Sequence, residues 1–164
     1  MLITTADLPG IRAKHEGEKI VLGGGAFDIL HQGHIDYLRD LKALGDILVI
    51  AIKSDAEIRS YKDSDRPIQA EDVRLKVIDA IRYVDYTFIA PEPVGPLKEF
   101  GDSEPPRLIA ARALKPDILA TWNDKWRAYE AELSSFGTKL VVVPIDKINS
   151  TSSIIERIRN HGEG

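Results

Sequence analysis

The chain has 164 residues, 43% of them apolar and 29% charged, with no cysteine and a formal net charge of −4. That length buries one core in a single domain, 1–164, and the missing thiols exclude disulfides and cysteine-based zinc sites. The acidic balance argues against a nucleic-acid partner held by broad phosphate neutralisation, but not against a small anion, which feels the local field of its cleft.

No stretch approaches the ~20 apolar residues of a membrane span, and the first thirty residues carry no signal-type apolar run. A cytoplasmic protein without membrane partners is expected. In chain order, Thr5 to His15 reads as a short helix or arm broken by Pro9-Gly10. Lys19 to Leu22 is an apolar run entering a tight turn at Gly23-Gly24-Gly25, which predicts a buried strand. Ile35, Leu38, Leu41 and Leu44 recur at helical spacing between Gly33 and the closing Gly45. Ile47 to Ile52 is a continuous apolar strand of the kind a two-sided parallel sheet buries.

Lys53 to Ala70 turns polar, with Asp63, Ser64, Asp65 and Pro67 marking a loop. Val73, Val77, Ile78, Ile81 and Val84 predict one apolar helix face, followed by a strand at Tyr86 to Ile89. Pro91 to Pro106, with five prolines and two glycines, is the most loop-like segment. A helix from Arg107 to Leu114 leads into a strand at Asp117 to Ala120. Another from Trp126 to Phe136, ending at Gly137, precedes a strand at Lys139 to Val143, and Ser150 to Ile158 forms the final helix. Five strands alternating with helices describe an α/β fold, a doubly wound parallel sheet whose ligand lies outside the strand carboxyl ends.

The segment Gly24-Gly25-Ala26-Phe27-Asp28-Ile29-Leu30-His31-Gln32-Gly33-His34 joins the first strand to the first long helix. Glycines there let backbone approach a ligand, and two histidines opening a helix sit where free N–H groups and the macrodipole attract phosphate. Imidazoles so placed can donate hydrogen bonds to the oxygens of a pentavalent phosphorus and, if protonated, add positive charge there, and transfer chemistry of this kind needs no covalent nucleophile. Alone, the glycine run is a flexible turn that does not continue into a dinucleotide fingerprint. His31 and His34 alone are a metal pair or two surface residues. Together, between an apolar strand and an amphipathic helix, they point to phosphate.

Residues 25–34 resemble the G-x-F-D-x-x-H-x-G-H signature of the cytidylyltransferase-like nucleotidyltransferase superfamily, and the likeness runs from about Lys19 to Ile158. Within it the chain most resembles the adenylyltransferase domain of ADP-heptose synthase, with glycerol-3-phosphate cytidylyltransferase next. The resemblance implies a Rossmann-like fold, a nucleoside triphosphate bound with Mg2+, a phosphorylated small-molecule acceptor and a homodimer. It implies that His31 and His34 contact the triphosphate and stabilise the transition state, with Gly24, Gly25, Ala26, Phe27 and Gly33 lining the nucleotide.

Ser150, Thr151 and Ser152 are similar to the family's S-T-T-x-I-I segment, where hydroxyls at a helix start hold phosphates or simply cap the helix. Arg74 falls where the family has an arginine supporting a phosphate; its other reading is an exposed helix arginine paired with Asp72 or Glu71. Lys62 aligns with a family lysine near the acceptor or stands as a solvated loop lysine. Asp28 anchors the signature loop or the substrate, and Asp55 lines the cleft.

The departure is Ala120-Thr121-Trp122-Asn123-Asp124, where related enzymes carry K-G-x-D or M-G-D-D. Asp124 remains as a nucleotide-site residue, while Trp122 either lines the substrate pocket or packs a lid with Trp126. Two transfer reactions therefore stand, adenylyl transfer to a sugar 1-phosphate and cytidylyl transfer to an alcohol phosphate such as glycerol 3-phosphate. A nucleotide-binding regulator without turnover is the reading from another class. An aminoacyl-tRNA synthetase fragment would need further domains and a basic surface.

Overall fold

The computed structural model describes residues 1–62, 65–92, 104–144 and 150–161. Five parallel strands form one sheet: β1 (Ile20–Gly25), β2 (Ile47–Ile52), β3 (Tyr86–Ile89), β4 (Ile118–Thr121) and β5 (Lys139–Val142). Their order is β3-β2-β1-β4-β5, so the chain reverses its winding between β1 and β4. In an open parallel sheet that reversal opens a crevice at the strand carboxyl ends.

The sheet is buried on both faces, which explains its unbroken apolar strands. On one face Leu8, Ile11, Leu108, Ala111, Leu114, Trp126 and Leu133 form a core with alternate strand residues. Those side chains come from α1 (Leu8–Lys14), α5 (Pro106–Leu114), a 3-10 turn (Asp124–Tyr129) and α6 (Glu130–Ser135). The opposite core joins Tyr37, Leu38 and Leu41 of α2 (Gln32–Lys42) and Ile78 of α4 (Glu71–Asp79) to Val21, Leu48 and Ile50. No helix among the described residues is long and apolar enough to cross a membrane.

Several local expectations change. Pro9 does not break the first helix: a 3-10 turn at Thr5–Asp7 runs into α1 with Pro9 in its first turn, where an N–H has no intrahelical partner to lose. Gly23, Gly24 and Gly25 continue β1 instead of turning, and a Cβ on Gly23 would meet the Leu41 side chain at 2.3 Å. The glycine there admits α2 against the strand. The polar stretch after β2 contains α3 (Asp55–Arg59), started by Ser54, whose Oγ accepts from the Glu57 N–H at 3.1 Å. α4 ends at Asp79, its Val73 is exposed, and Ile81 and Val84 follow the helix rather than extend its face.

The helix expected over Trp126 to Phe136 is the 3-10 turn plus α6, closed by Gly137 at φ 85°. Asp117 lies just before β4, where its Oδ2 accepts the Ile20 N–H at 2.7 Å. α7 (Thr151–His161) begins one residue after Ser150. Asp63, Ser64 and residues 93–103 of the proline-rich loop lie outside the described residues.

Candidate active site

The loop between β1 and α2 holds two residues in the left-handed region, Phe27 and Ile29, both at φ 51°. For a β-branched residue such as Ile29 that backbone costs about 1–3 kcal/mol and persists only where its surroundings over-determine it. They do. Asp28, 1% exposed, accepts from Arg66 Nε at 3.0 Å and from the Ile68 and Gln69 N–H groups, each at 3.0 Å. The Ile29 N–H donates to Gln69 Oε1 at 3.3 Å.

Beneath the loop lies Arg74, 0% exposed. Its NH1 donates to the Ala26 carbonyl (2.6 Å), its Nε to the Gln69 carbonyl (2.9 Å), and its NH2 to the Lys53 carbonyl (2.9 Å) and Asp55 Oδ1 (2.7 Å). Arg74 is therefore not an exposed helix arginine: it braces the loop from inside. Asp55 is its partner at the start of α3 rather than a free cleft carboxylate.

The loop delivers His31 and His34 to the start of α2. Their rings stack with centroids 3.8 Å apart and planes 22° from parallel, and His34 meets the Phe27 ring edge-on at 5.3 Å. Both Nδ1 atoms are buried without a hydrogen-bond partner among the described residues. Burial lowers the pKa of His31, and burial with the neighbouring His31 lowers that of His34 to about 4, against an opposing pull from Asp28. Both imidazoles are neutral near pH 7, so in the unliganded protein they are hydrogen-bonding groups rather than cations. Gly33 lies between them in the first turn of α2.

The start of α7 joins this loop, since Thr151 Oγ1 donates to the Asp28 carbonyl at 2.6 Å. Ser150 caps the helix, its Oγ accepting the Ser153 N–H at 3.2 Å, while the exposed Ser152 lines a groove of about 180 Å³ with Asp65 and Arg66. A larger groove of about 480 Å³ is lined by Ile154, Arg157, Ile158 and His161, and by none of the signature residues.

The two tryptophans separate. Trp126 is 5% exposed in the core, whereas Trp122 stands 50% exposed just past the carboxyl end of β4. Asp124 is an open surface carboxylate, 77% exposed and paired with Arg127 at 3.1 Å. Lys62 is exposed beyond α3, its Nζ 6.0 Å from the Tyr61 ring centroid. Neither Asp124 nor Lys62 is linked to the histidine loop by a contact among the described residues.

Arg107, in the first turn of α5, belongs to no motif in the sequence. Its NH1 donates to the Gly24 carbonyl and its NH2 to Thr121 Oγ1, both at 3.3 Å, and its guanidinium lies 4.3 Å from the Trp126 ring centroid. Gly24 makes room for it, since a Cβ there would come within 3.0 Å of Arg107 Cδ and 2.7 Å of the Ala51 carbonyl. One cue was available: a cation at a helix N-terminus opposes the macrodipole and needs another reason to be there.

A cytidylyltransferase-like family model matches residues 22–157. The bifunctional protein HldE of Helicobacter pylori (strain Shi470) is 38% identical over 146 residues, covering 89% of this chain and 29% of that protein. The HldE of Coxiella burnetii (strain RSA 493 / Nine Mile phase I) is 34% identical over 163 residues, 98% of this chain and 31% of that protein. The chain thus spans less than a third of the length of these curated relatives. Among solved structures, the lipopolysaccharide core biosynthesis protein from Thermoplasma volcanium GSS1 superposes with a TM-score of 0.63 at 30% identity, over 81% of this chain and 100% of that one. Pantothenate synthetase from Thermus thermophilus, at 16% identity and a TM-score of 0.61 over 93% of this chain and 66% of that one, shares the fold.

Proposed function

The chain belongs to the cytidylyltransferase-like family and is a nucleotidyltransferase, and from that premise we propose that it transfers AMP from ATP to a sugar 1-phosphate. An oxygen of the acceptor phosphate bonds to the α-phosphorus of ATP, the bond to the β-phosphate bridging oxygen breaks, and pyrophosphate leaves with that electron pair. The observation that supports this is the pair of stacked, half-buried, neutral histidines at the start of α2, whose Nδ1 atoms find no hydrogen-bond partner among the described residues. Donors fixed beside a phosphorus that gains charge in the transition state stabilise it with no reorganisation. Mg2+ enters with the triphosphate. When bound there, it would offset part of the phosphate charge.

Cytidylyl transfer to an alcohol phosphate such as glycerol 3-phosphate is the second reading, kept open by the half-exposed Trp122 at the end of β4, since an indole there would stack on cytosine as readily as on adenine. The test is a matrix of ATP and CTP against sugar 1-phosphates and glycerol 3-phosphate, scored by pyrophosphate release. Fastest turnover with ATP and a sugar 1-phosphate is expected. Fastest turnover with CTP and glycerol 3-phosphate would establish the second reading. Triphosphate binding without pyrophosphate release in any pairing would make the protein a nucleotide-binding regulator.

A further inference from the structure

Arg107 brings a positive charge to the crevice where the sheet reverses its winding. It reaches over β1 to the Gly24 carbonyl and over β4 to Thr121, touching both strands that flank the reversal. It spans from the α5 face toward the buried Tyr37 of α2, whose hydroxyl donates to the Ala120 carbonyl at 3.4 Å. Tyr37 in turn lies 6.4 Å from Phe27, and Phe27 packs on His34, so a continuous run of contacts joins Arg107 to the histidines.

Arg107 is half-buried, and withdrawing a guanidinium even partly from water is costly unless a counter-charge meets it. No carboxylate among the described residues stands within ion-pair distance of Arg107, and its contacts with the Gly24 and Thr121 oxygens are neutral and long. Glu57 acts on it only at longer range, and that carboxylate already binds Lys53 Nζ at 2.5 Å. Burial lowers the Arg107 pKa from its ordinary value, yet a guanidinium stays charged at neutral pH. The Trp126 ring on one side holds the fork in place without neutralising it. A fixed planar fork that meets no carboxylate among the described residues is suited to receive phosphate oxygens.

We propose that Arg107 binds the phosphate of the acceptor in the crevice between β1 and β4 and thereby selects phosphorylated acceptors. This rests on the transfer reaction proposed above. A phosphate that must approach an anionic triphosphate is repelled by it, and a cation on the acceptor side offsets that repulsion. Thr121, which stands where related enzymes carry lysine or methionine, is the residue Arg107 touches at the end of β4.

The test compares wild type, Arg107→Lys, Arg107→Gln and His34→Ala in two measurements. In steady-state pyrophosphate release, Arg107→Gln should raise the acceptor KM about 10–100-fold, the range for losing a hydrogen bond to a charged group, with the ATP KM within about twofold. Arg107→Lys, which keeps charge but loses the fork, should fall between and decides the matter if Arg107→Gln does not fold. An unchanged acceptor KM, or an equal rise in the ATP KM, would overturn the proposal. The second measurement is the thermal-midpoint gain from inorganic phosphate over sodium chloride at equal ionic strength. That gain should shrink in both Arg107 variants and persist in His34→Ala; equal gains in wild type and Arg107→Gln would overturn the proposal. If no substrate pair turns over in wild type, the transfer reading fails, and the phosphate-dependent gain alone decides whether Arg107 is an anion site.

Discussion

Replacing Arg74 with alanine should unfold the signature loop rather than merely weaken a ligand. The guanidinium is 0% exposed and holds three backbone carbonyls and the Asp55 carboxylate. Removing one partner of a buried ion pair costs about 3–5 kcal/mol, and the low end applies here because Asp55, 18% exposed, keeps Arg59 at 3.5 Å. The orphaned Ala26, Gln69 and Lys53 carbonyls add to that, offset by water entering the emptied space. A net loss of about 4 kcal/mol is a large share of the about 5–15 kcal/mol that holds a domain together. For a chain of this size it lowers the melting midpoint by about 8–16 °C. The assay is calorimetric melting, followed by kcat and KM on whatever stays folded at low temperature. Arg74→Lys should recover little, since an ammonium cannot reach all four oxygens as the fork does. A folded Arg74→Ala protein melting within about 2 °C of wild type, with only its ATP KM raised, would show that Arg74 contacts ligand and that its burial has been misjudged.

His34→Ala should lower kcat by about 10²–10⁴ and the affinity for triphosphate by less, the pattern of a group acting on the transition state; a folded variant with near-normal kcat in the pyrophosphate assay refutes the mechanism. His34 is neutral in the fold down to about pH 4, whereas an unfolded chain protonates it near 6.5, so the unfolded state binds more protons between those values. Stability therefore falls as pH drops from about 6.5 toward 4, by at most roughly 3 kcal/mol from this residue; urea titrations at both ends should show a smaller loss in His34→Gln, and an equal loss counts against a buried neutral imidazole. Trp122→Gly should leave the histidine chemistry intact and shift relative kcat/KM among substrates by about 1–3 kcal/mol, read from the same substrate matrix; unchanged ratios with a lower melting point make Trp122 a packing residue.

The elements legible in the sequence were those set by local pattern. Ile47–Ile52 and Tyr86–Ile89 form strands over the same residues that their apolar runs marked, and α2 follows the spacing of Leu38 and Leu41. The histidines were legible because their order and spacing survive in one segment. For Arg74 the exposed alternative fails: a charged residue in a helix reads as exposed, and only tertiary contact with residues 26, 53, 55 and 69 shows it buried. The glycines of β1 misled because close approach and turning call for the same residue, and only the packing of Leu41 and Arg107 against that strand distinguishes them. Arg107 was invisible because its partners, Gly24 and Thr121, are 83 and 14 residues away and share no local motif with it.

The same structure explains why the charge needed for phosphate chemistry is kept apart from the histidines. Two imidazoles stacked at 3.8 Å in a buried loop repel when both are charged, which is part of why His34 stays neutral to about pH 4. Neutral rings donate hydrogen bonds without locking the nucleotide into its ground state, so their effect can grow as charge builds on the phosphorus. The permanent cations go elsewhere. Arg74 is spent on backbone, holding the strained turn at Phe27 and Ile29, and Arg66 on the Asp28 carboxylate. Arg107 alone of these three arginines has no carboxylate partner among the described residues, and it sits at the strand ends where a second anion must enter. On the proposed reading, such a site separates two demands: positioning groups that respond to the transition state, and a fixed charge that admits the acceptor.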